Sequence, residues 1–520
     1  MTLPTRRREE NRGNCSEVQH ESLRLRTASG CYHVNWDNEA PVTPHGQLAF
    51  FAQYLHSADL FKRWVSNCPL EYKSNNAPEI KDVLGTFLLS ILAGHTRYNH
   101  IDNIYGDIVN AELLNLKQTV SSDSARRAFA MIDEEKCEHW QHCHQMNTYE
   151  SLLSQPYILD VDTTVKVLYG NQEGAVVGYN PKKPGRPSHC YHTYFIGKIR
   201  MVLDVEVRPG NESSSLHSQP KLWKFIDQLQ ECQKPHLIRG DVAYGVESMM
   251  TECEKRNLSY LSKVRMTTNV KKLVKQLESL GTTWEDAGNG WQGCKGKLKL
   301  SGWSRTRQVV VLRRTLTKRK KGESLLLTEN NQAQKEFSFV EILDKGSSFE
   351  YTVLVTNLEG SILSIAQLYR DRGDCENVID ELKNHWGWSG FTTTDLKRTQ
   401  IMARMIAQVY NWWTVFCRLA IPEKHTEAIT SRSLFFRSIG RLVLRNGQRR
   451  IRLSSINSQA SRIQEIMGAI SRFLETIRST AAQLTAEERW TAILNRAFMI
   501  FLKKKKLPVL SDGPQLLLGM

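Results

Sequence analysis

The chain has 520 residues, 70 of them Lys or Arg against 54 Asp or Glu, giving a formal net charge of +16 and an isoelectric point near 9.3. A chain of this length is expected to fold as several structural units, and its positive balance points to a polyanionic partner, nucleic acid before an anionic membrane surface. The 11 cysteines, scattered from Cys15 to Cys417, exclude a secreted disulfide scaffold, and no apolar run reaches the roughly 18 residues of a bilayer span, so neither export nor membrane association is expected.

Residues 1–45 are polar, with too little apolar surface to offset the entropy of ordering, and predict a mobile basic tail. From 46 to 150 the apolar residues recur at helical spacing, as in LAFFAQYLHSADLFKRWV and DVLGTFLLSILAGH, predicting a helical N-terminal DNA-binding domain. Within it, QTVSSDSARRAFAMI has the pattern of a helix-turn-helix, with Ser122 or Ser124 as cap and Arg126 and Arg127 directed at DNA. CEHWQHCHQ gathers Cys137, His139, His142, Cys143 and His144, donors enough for zinc but without a matching second half, so chance clustering is the favoured reading.

Residues 151–265 change character. YILDVD, GAVVGY and YFIGKIRMVLDVEV predict three strands in an antiparallel meander, followed by the helix KLWKFIDQLQEC, the short buried strand PHLIRGD, the helix VESMMTECEKRN and the strand YLSKVR. Residues 266–350, with Gly-rich turns, the run TKRKKG and the strand-like RQVVVLRR and FSFVEIL, predict a β-rich insertion. The core resumes over 351–420 with the strand YTVLVTN and one long helix over 361–386. The expectation is an α/β core in which helices flank a mixed five-stranded sheet. Residues 421–520 predict a basic, mainly helical C-terminal region with one hairpin, RLVLR and QRRIRL joined by Asn446-Gly447. Leu442, Leu444, Ile451 and Leu453 would line one face of it, and Arg445, Arg449, Arg450 and Arg452 form a basic rim that suits a DNA backbone or solvent equally. FLKKKK near the end suits a phosphate contact or a solvated terminus.

The predicted helix over 361–386 carries Tyr369, Arg372, Glu376 and Lys383 within about 60° of arc at about 100° per residue. An acid beside two cations and a phenol suits a metal-bound phosphodiester, although a solvated, ion-paired face has the same composition. Two further acids tip the balance. Asp162 ends the first apolar strand and Asp241 follows PHLIRG, and acids at the ends of buried strands point into the crevice where sites of open α/β sheets form. Three carboxylates from separate elements can hold two Mg²⁺ ions, with Mn²⁺ as a substitute, to activate a nucleophilic oxygen and stabilise a leaving one.

LDVDTT, IRGDVAYG and the Tyr369, Arg372, Glu376, Lys383 set resemble the motifs of DDE transposases, in the bacterial insertion-sequence branch that shares the Y-x2-R-x3-E-x6-K signature. YGNQEGAVVGYNPKKPGRPSHCYH and RPGN are similar to one subgroup of that branch, and the likeness spans roughly 155–415. It implies a ribonuclease H-like core, Asp162, Asp241 and Glu376 as metal-binding catalytic residues, and Tyr369, Arg372 and Lys383 as DNA-positioning residues. It further implies a hairpin intermediate and an insertion aromatic supporting a flipped base, for which Trp284, Trp291 and Trp303 are candidates. Asp160, two residues before Asp162 on the same face, could also reach the metal; the DTT after Asp162 matches the branch and favours Asp162. Lys182, Lys183 and Arg186, in a Pro and Gly loop between core strands, are candidate phosphate contacts.

The function expected is cut-and-paste transposition: metal-dependent cleavage and strand transfer at the terminal inverted repeats of an insertion sequence, by a homodimer on double-stranded end and target DNA, in the bacterial cytoplasm at the nucleoid. The alternatives are a ribonuclease H-like nuclease without strand transfer, and a catalytically silent, transposase-derived DNA-binding regulator, which would be expected to have lost the acids.

Overall fold

The computed structural model describes residues 23–34, 40–316, 339–342, 348–454 and 457–504. At its centre, β1 (Ile158–Val167), β2 (Pro187–Ile196) and β3 (Met201–Pro209) pair antiparallel, while β4 (Leu237–Gly240) and β5 (Ser259–Lys263) run parallel to β1 on its other side. The spatial order is β3-β2-β1-β4-β5. The parallel pairings need crossovers, supplied by α1 (Ser215–Gln228) and α2 (Glu247–Lys255), and β4 is buried along its whole length as the apolar run PHLIRG requires.

The meander is built from different segments than expected. GAVVGY contributes only the exposed pair Val176–Val177, bonded to Pro187 and Ser188 at the start of β2. YFIGKIRMVLDVEV is instead split by a turn at Gly197–Ile199, with Arg200 at φ 59°, into the end of β2 and all of β3. The reversal falls on Gly197, Lys198, Ile199 and Arg200, which carry no turn signal of the usual Asn, Asp or Pro type.

The insertion comprises α3 (Thr268–Ser279), β6 (Glu285–Gly288), β7 (Trp291–Leu298), β8 (Arg307–Leu316) and β9 (Ser348–Thr356). Its last strand pairs antiparallel with β5 through Leu354–Lys263, Val355–Ser262 and Thr356–Leu261. The sheet is therefore continuous: among the described residues the five core strands are extended to eleven, and YTVLVTN belongs to this extension. Pairing with β9 covers what would otherwise be the open edge of β5.

Beyond the sheet lie α4 (Ile362–Arg370), α5 (Gly373–His385) and α6 (Leu396–Ala420). Every residue of α6 from Ile401 to Leu419 is buried, so the helix is enclosed on all sides. Its polar residues complete the edge of β3. Gln400 accepts from Val207 N–H at 2.6 Å and donates to Val205 C=O at 2.9 Å, and Asn411 does the same for Val202 at 2.9 and 2.7 Å. The remaining faces of α6 are covered by N-terminal helices, including Leu48–Ser57 and Glu134–Leu153, and by Ala460–Ser479 and Ala486–Lys504. One hydrophobic core thus runs from Leu48 to Phe498, shared by the chain's two ends.

The C-terminal hairpin, Ile439–Arg445 with Gln448–Ser454, turns at Asn446 and Gly447 with φ 52° and 71°, the two positive angles of a type I′ turn. Val42–Thr43 adds a third strand to it, and Leu23–Thr27 pairs with Gly30–Val34 as a separate exposed hairpin, so part of the expected tail is strand. The rest of that tail before residue 23, the TKRKKG run and the last two lysines of FLKKKK lie outside the described residues. Among the described residues no helix is long and apolar enough to cross a membrane.

Candidate active site

The register of the parallel strands places the site. Val161 pairs with Gly240 and Gly240 with Ser262, so the next residues, Asp162, Asp241 and Lys263, stand side by side where β4 and β5 stop and β1 runs on. Asp162 is buried, and its carboxylate accepts Arg372 Nη2 at 2.8 Å and the Thr163 N–H at 2.8 Å. Arg372 also donates through Nη1 to Glu376 Oε1 at 2.5 Å, so one guanidinium spans two of the three acids. Burial pushes the Asp162 carboxyl up to about 7 against the pull of Arg372, with Asp241 and then Glu376 adding to the rise. Asp241, half-buried, accepts the Ala243 N–H at 2.9 Å, and Glu376 is the most open of the three at 56 % side-chain exposure. Tyr369 lies in the field of Arg372, Asp241, Glu376 and Asp162, and burial raises its hydroxyl further from ionisation.

These side chains do not come from one straight helix. α4 ends at Arg370 and α5 begins at Gly373; between them Arg372 N–H turns back to Tyr369 C=O at 3.1 Å and Cys375 N–H to Arg372 C=O at 2.9 Å, the tighter i+3 pattern. The uniform 100° step therefore fails across the break, and Arg372 is aimed at Asp162 by the turn. Glu376 then falls in the first turn of α5, the end of a helix that favours negative charge.

Lys383, two turns further along α5, donates to Thr164 Oγ1 at 3.0 Å and Val165 C=O at 2.8 Å. Burial lowers its ammonium to about 8, and the charge of Lys182 adds to the shift. Lys182, Lys183 and Arg186 are all exposed, the last two over the Tyr169 ring at 5.1 and 5.6 Å. Asp160 is committed elsewhere: Arg239 grips it at 2.6 and 2.9 Å with both side chains buried, leaving Asp162 as the acid of β1 at the crevice. Sequence reasoning missed Lys263, whose ammonium is lowered by burial against the pull of Glu350, with Arg372 repelling it and Asp241 and Glu376 attracting it more weakly. A polar residue near the end of a strand, the kind of signal that exposed Asp241, also marks it.

The profile of the family described as Transposase DDE domain group 1 matches residues 71–475. The chain belongs to the DDE transposase family. No curated protein sequence matches it. Among solved structures it is similar to a piggyBac transposase in a synaptic complex with hairpin DNA, at 10 % identity and a TM-score of 0.37, over 87 % of this chain and 86 % of that one.

Members of this family generally use divalent metal ions, and the donor set of this DDE chain fits one: three carboxylates, one of them pushed toward its protonated form by burial and, less strongly, by the other two. Among the described residues no three His, Cys, Asp or Glu side chains are already gathered at metal-binding distance. The Arg372 guanidinium stands between Asp162 and Glu376 as their shared cation.

The other candidates are spread out. Along the helix Glu134–Leu153, Cys137 and His144 are buried while His139 is exposed, with Cys143 Sγ 3.6 Å from a His139 ring nitrogen. The cap of Ser122–Met131 is Ser121, which accepts the Ser124 N–H at 3.2 Å; Arg126 pairs with Asp123 at 2.5 Å. Trp303 is buried under Arg307, Trp284 lies 4.1 Å from the Arg313 guanidinium and Trp291 4.9 Å from that of Arg314, so each tryptophan has an arginine on its ring.

Proposed function

We propose that this chain is a cut-and-paste transposase that cleaves the DNA ends of an insertion sequence and joins them to a target, with Asp162, Asp241 and Glu376 as its metal-binding catalytic residues. The observation that carries the reading is Arg372 bridging Asp162 and Glu376, with Asp241 beside Asp162 in the strand register and in its field, in a chain of this family. The strand order β3-β2-β1-β4-β5, with only β2 antiparallel to both neighbours, supports a ribonuclease H-like core.

Bound divalent ions, Mg²⁺ or Mn²⁺, would supply an activated oxygen nucleophile and charge neutralisation of the leaving oxygen. The chain's own residues do the rest. Arg372 opposes the protonation that burial favours at Asp162, and a divalent ion bound there would take over that role and leave the guanidinium for a phosphate oxygen. Tyr369 and Lys383 flank the same crevice and position the strand, with Lys182, Lys183 and Arg186 continuing the basic path along the DNA backbone. Two inverted ends call for two copies of the chain related by a two-fold axis.

The test is incubation of the full chain with labelled end DNA and target DNA in Mg²⁺. Cleaved and joined products from the wild type, with loss of both in Asp162→Asn, Asp241→Asn and Glu376→Gln at unchanged end binding, are expected. Cleavage by any of the three variants at the wild-type rate would overturn the assignment, and cleavage without joining would reduce the chain to a nuclease.

A further inference from the structure

We infer that the buried Asp160–Arg239 pair is a positioning brace that makes the α4–α5 break and so aims Arg372 and Glu376 at the carboxylate row. The inference rests on the reading of Asp162, Asp241 and Glu376 as the metal-binding set.

Asp160 and Arg239 are register partners on the parallel strands β1 and β4, one row of same-face residues beneath Asp162 and Asp241. Arg239 Nε and Nη2 hold both Asp160 oxygens at 2.6 and 2.9 Å, in a pair that is 2 % and 1 % exposed. Its third nitrogen, Nη1, donates to the Leu368 carbonyl. In an uninterrupted helix that carbonyl would accept the Arg372 N–H four residues on. Here Arg372 N–H bonds Tyr369 C=O instead. Arg239 therefore takes the acceptor that helical continuation needs, and the chain turns where the site requires it to turn.

Gly197 shows how closely the parts are fitted. A Cβ at that position would lie 2.6 Å from Asp160 Oδ2 and 3.3 Å from the Cys375 N, so the start of α5 and the brace meet across a residue that must lack a side chain. A buried ion pair on its own is weak evidence of stabilisation, because desolvation offsets most of its attraction. The capture of a helix-end carbonyl gives this one a directional task.

The experiment compares Arg239→Lys and Asp160→Asn in the full chain. Lysine keeps the charge but cannot hold both Asp160 oxygens and the Leu368 carbonyl in one plane. Hydrogen exchange of peptides covering 368–376 is expected to quicken at least tenfold, as about 1.4 kcal/mol of local stability is lost, while peptides from α6 keep the wild-type rate. The Mn²⁺ concentration for half-maximal cleavage is expected to rise by about tenfold or more with end binding unchanged. A purely structural pair would lower the melting temperature and quicken exchange throughout, leaving the metal dependence where it was; that result, or unchanged exchange over 368–376 in both variants, overturns the brace. If Arg239→Lys fails to fold, Asp160→Asn decides by the same two readouts. A wild type that cleaves nothing sinks the transposase reading while the exchange arm still judges the brace.

Discussion

Asp162→Asn should stabilise the protein near neutral pH while abolishing its chemistry. The carboxyl is raised from 3.8 to about 7 in the fold, chiefly by burial, and at 1.36 kcal/mol per tenfold change in proton affinity that amounts to about 4 kcal/mol against the ionised form. A raised acid binds its proton more tightly folded than unfolded, so stability falls as pH climbs from about 4 to about 7. Asparagine removes the charge and still accepts from Arg372 through its amide oxygen, and since the cost of about 4 kcal/mol is already net of the Arg372 attraction, the variant should gain about that much above neutral pH. For a chain of this length that is about 4 °C in melting temperature. Thermal unfolding of both proteins near pH 8 should show the gain, and it should vanish near pH 4. Mg²⁺ should raise the wild-type midpoint near pH 8 and leave Asp162→Asn unmoved. A variant melting below the wild type near pH 8 would refute the reasoning, because Asp162 would then be stabilising as an anion.

Gly197→Ala, by driving a methyl group to 2.6 Å from Asp160, should slow cleavage about tenfold with end binding preserved, measured by single-turnover cleavage. Asn411→Leu strands the Val202 N–H and C=O at the edge of β3 and should cost about 3 kcal/mol, read as a lower unfolding midpoint. Replacing Lys182, Lys183 and Arg186 together with Gln should flatten the slope of log affinity for end DNA against log salt by about 2 to 3, with no change if the loop is merely solvated. Lys383→Met, which removes the ammonium held by Thr164 and Val165, should lower the cleavage rate more than it weakens end binding in a gel-shift titration.

Much of the site was legible because its signal is local. An aspartate closing an apolar run stands out within five or six residues, and this found Asp241, just past the end of β4, and Asp162. The structure places Asp162 in the middle of β1 and not at its end as expected, because β1 runs on along β2 to Val167. Applied to YLSKVR the same signal would also have found Lys263. What escaped depends on partners far apart in the chain. Asp160 read as an alternative ligand because Arg239, 79 residues on, cannot be seen to claim it. The helix over 361–386 read as continuous because Gly373 costs a helix only about 1 kcal/mol, and the break is set by Arg239 from outside. The union of the insertion with the core sheet rests on three residue pairs between β5 and β9, and the sealing of β3 on Gln400 and Asn411 some 200 residues away. By contrast the Asn446-Gly447 hairpin formed as read, since a two-residue I′ turn carries its own instructions.

The central claim is that Asp162, Asp241 and Glu376 share divalent ions. The most direct measurement is an anomalous difference map from the complex of the full chain with its end DNA and Mn²⁺. The account predicts Mn²⁺ at about 2.1 Å from oxygens of all three acids, with Arg372 withdrawn from Asp162 toward a phosphate. Mn²⁺ bound elsewhere, with Arg372 still bridging Asp162 and Glu376 beside positioned DNA, would contradict it.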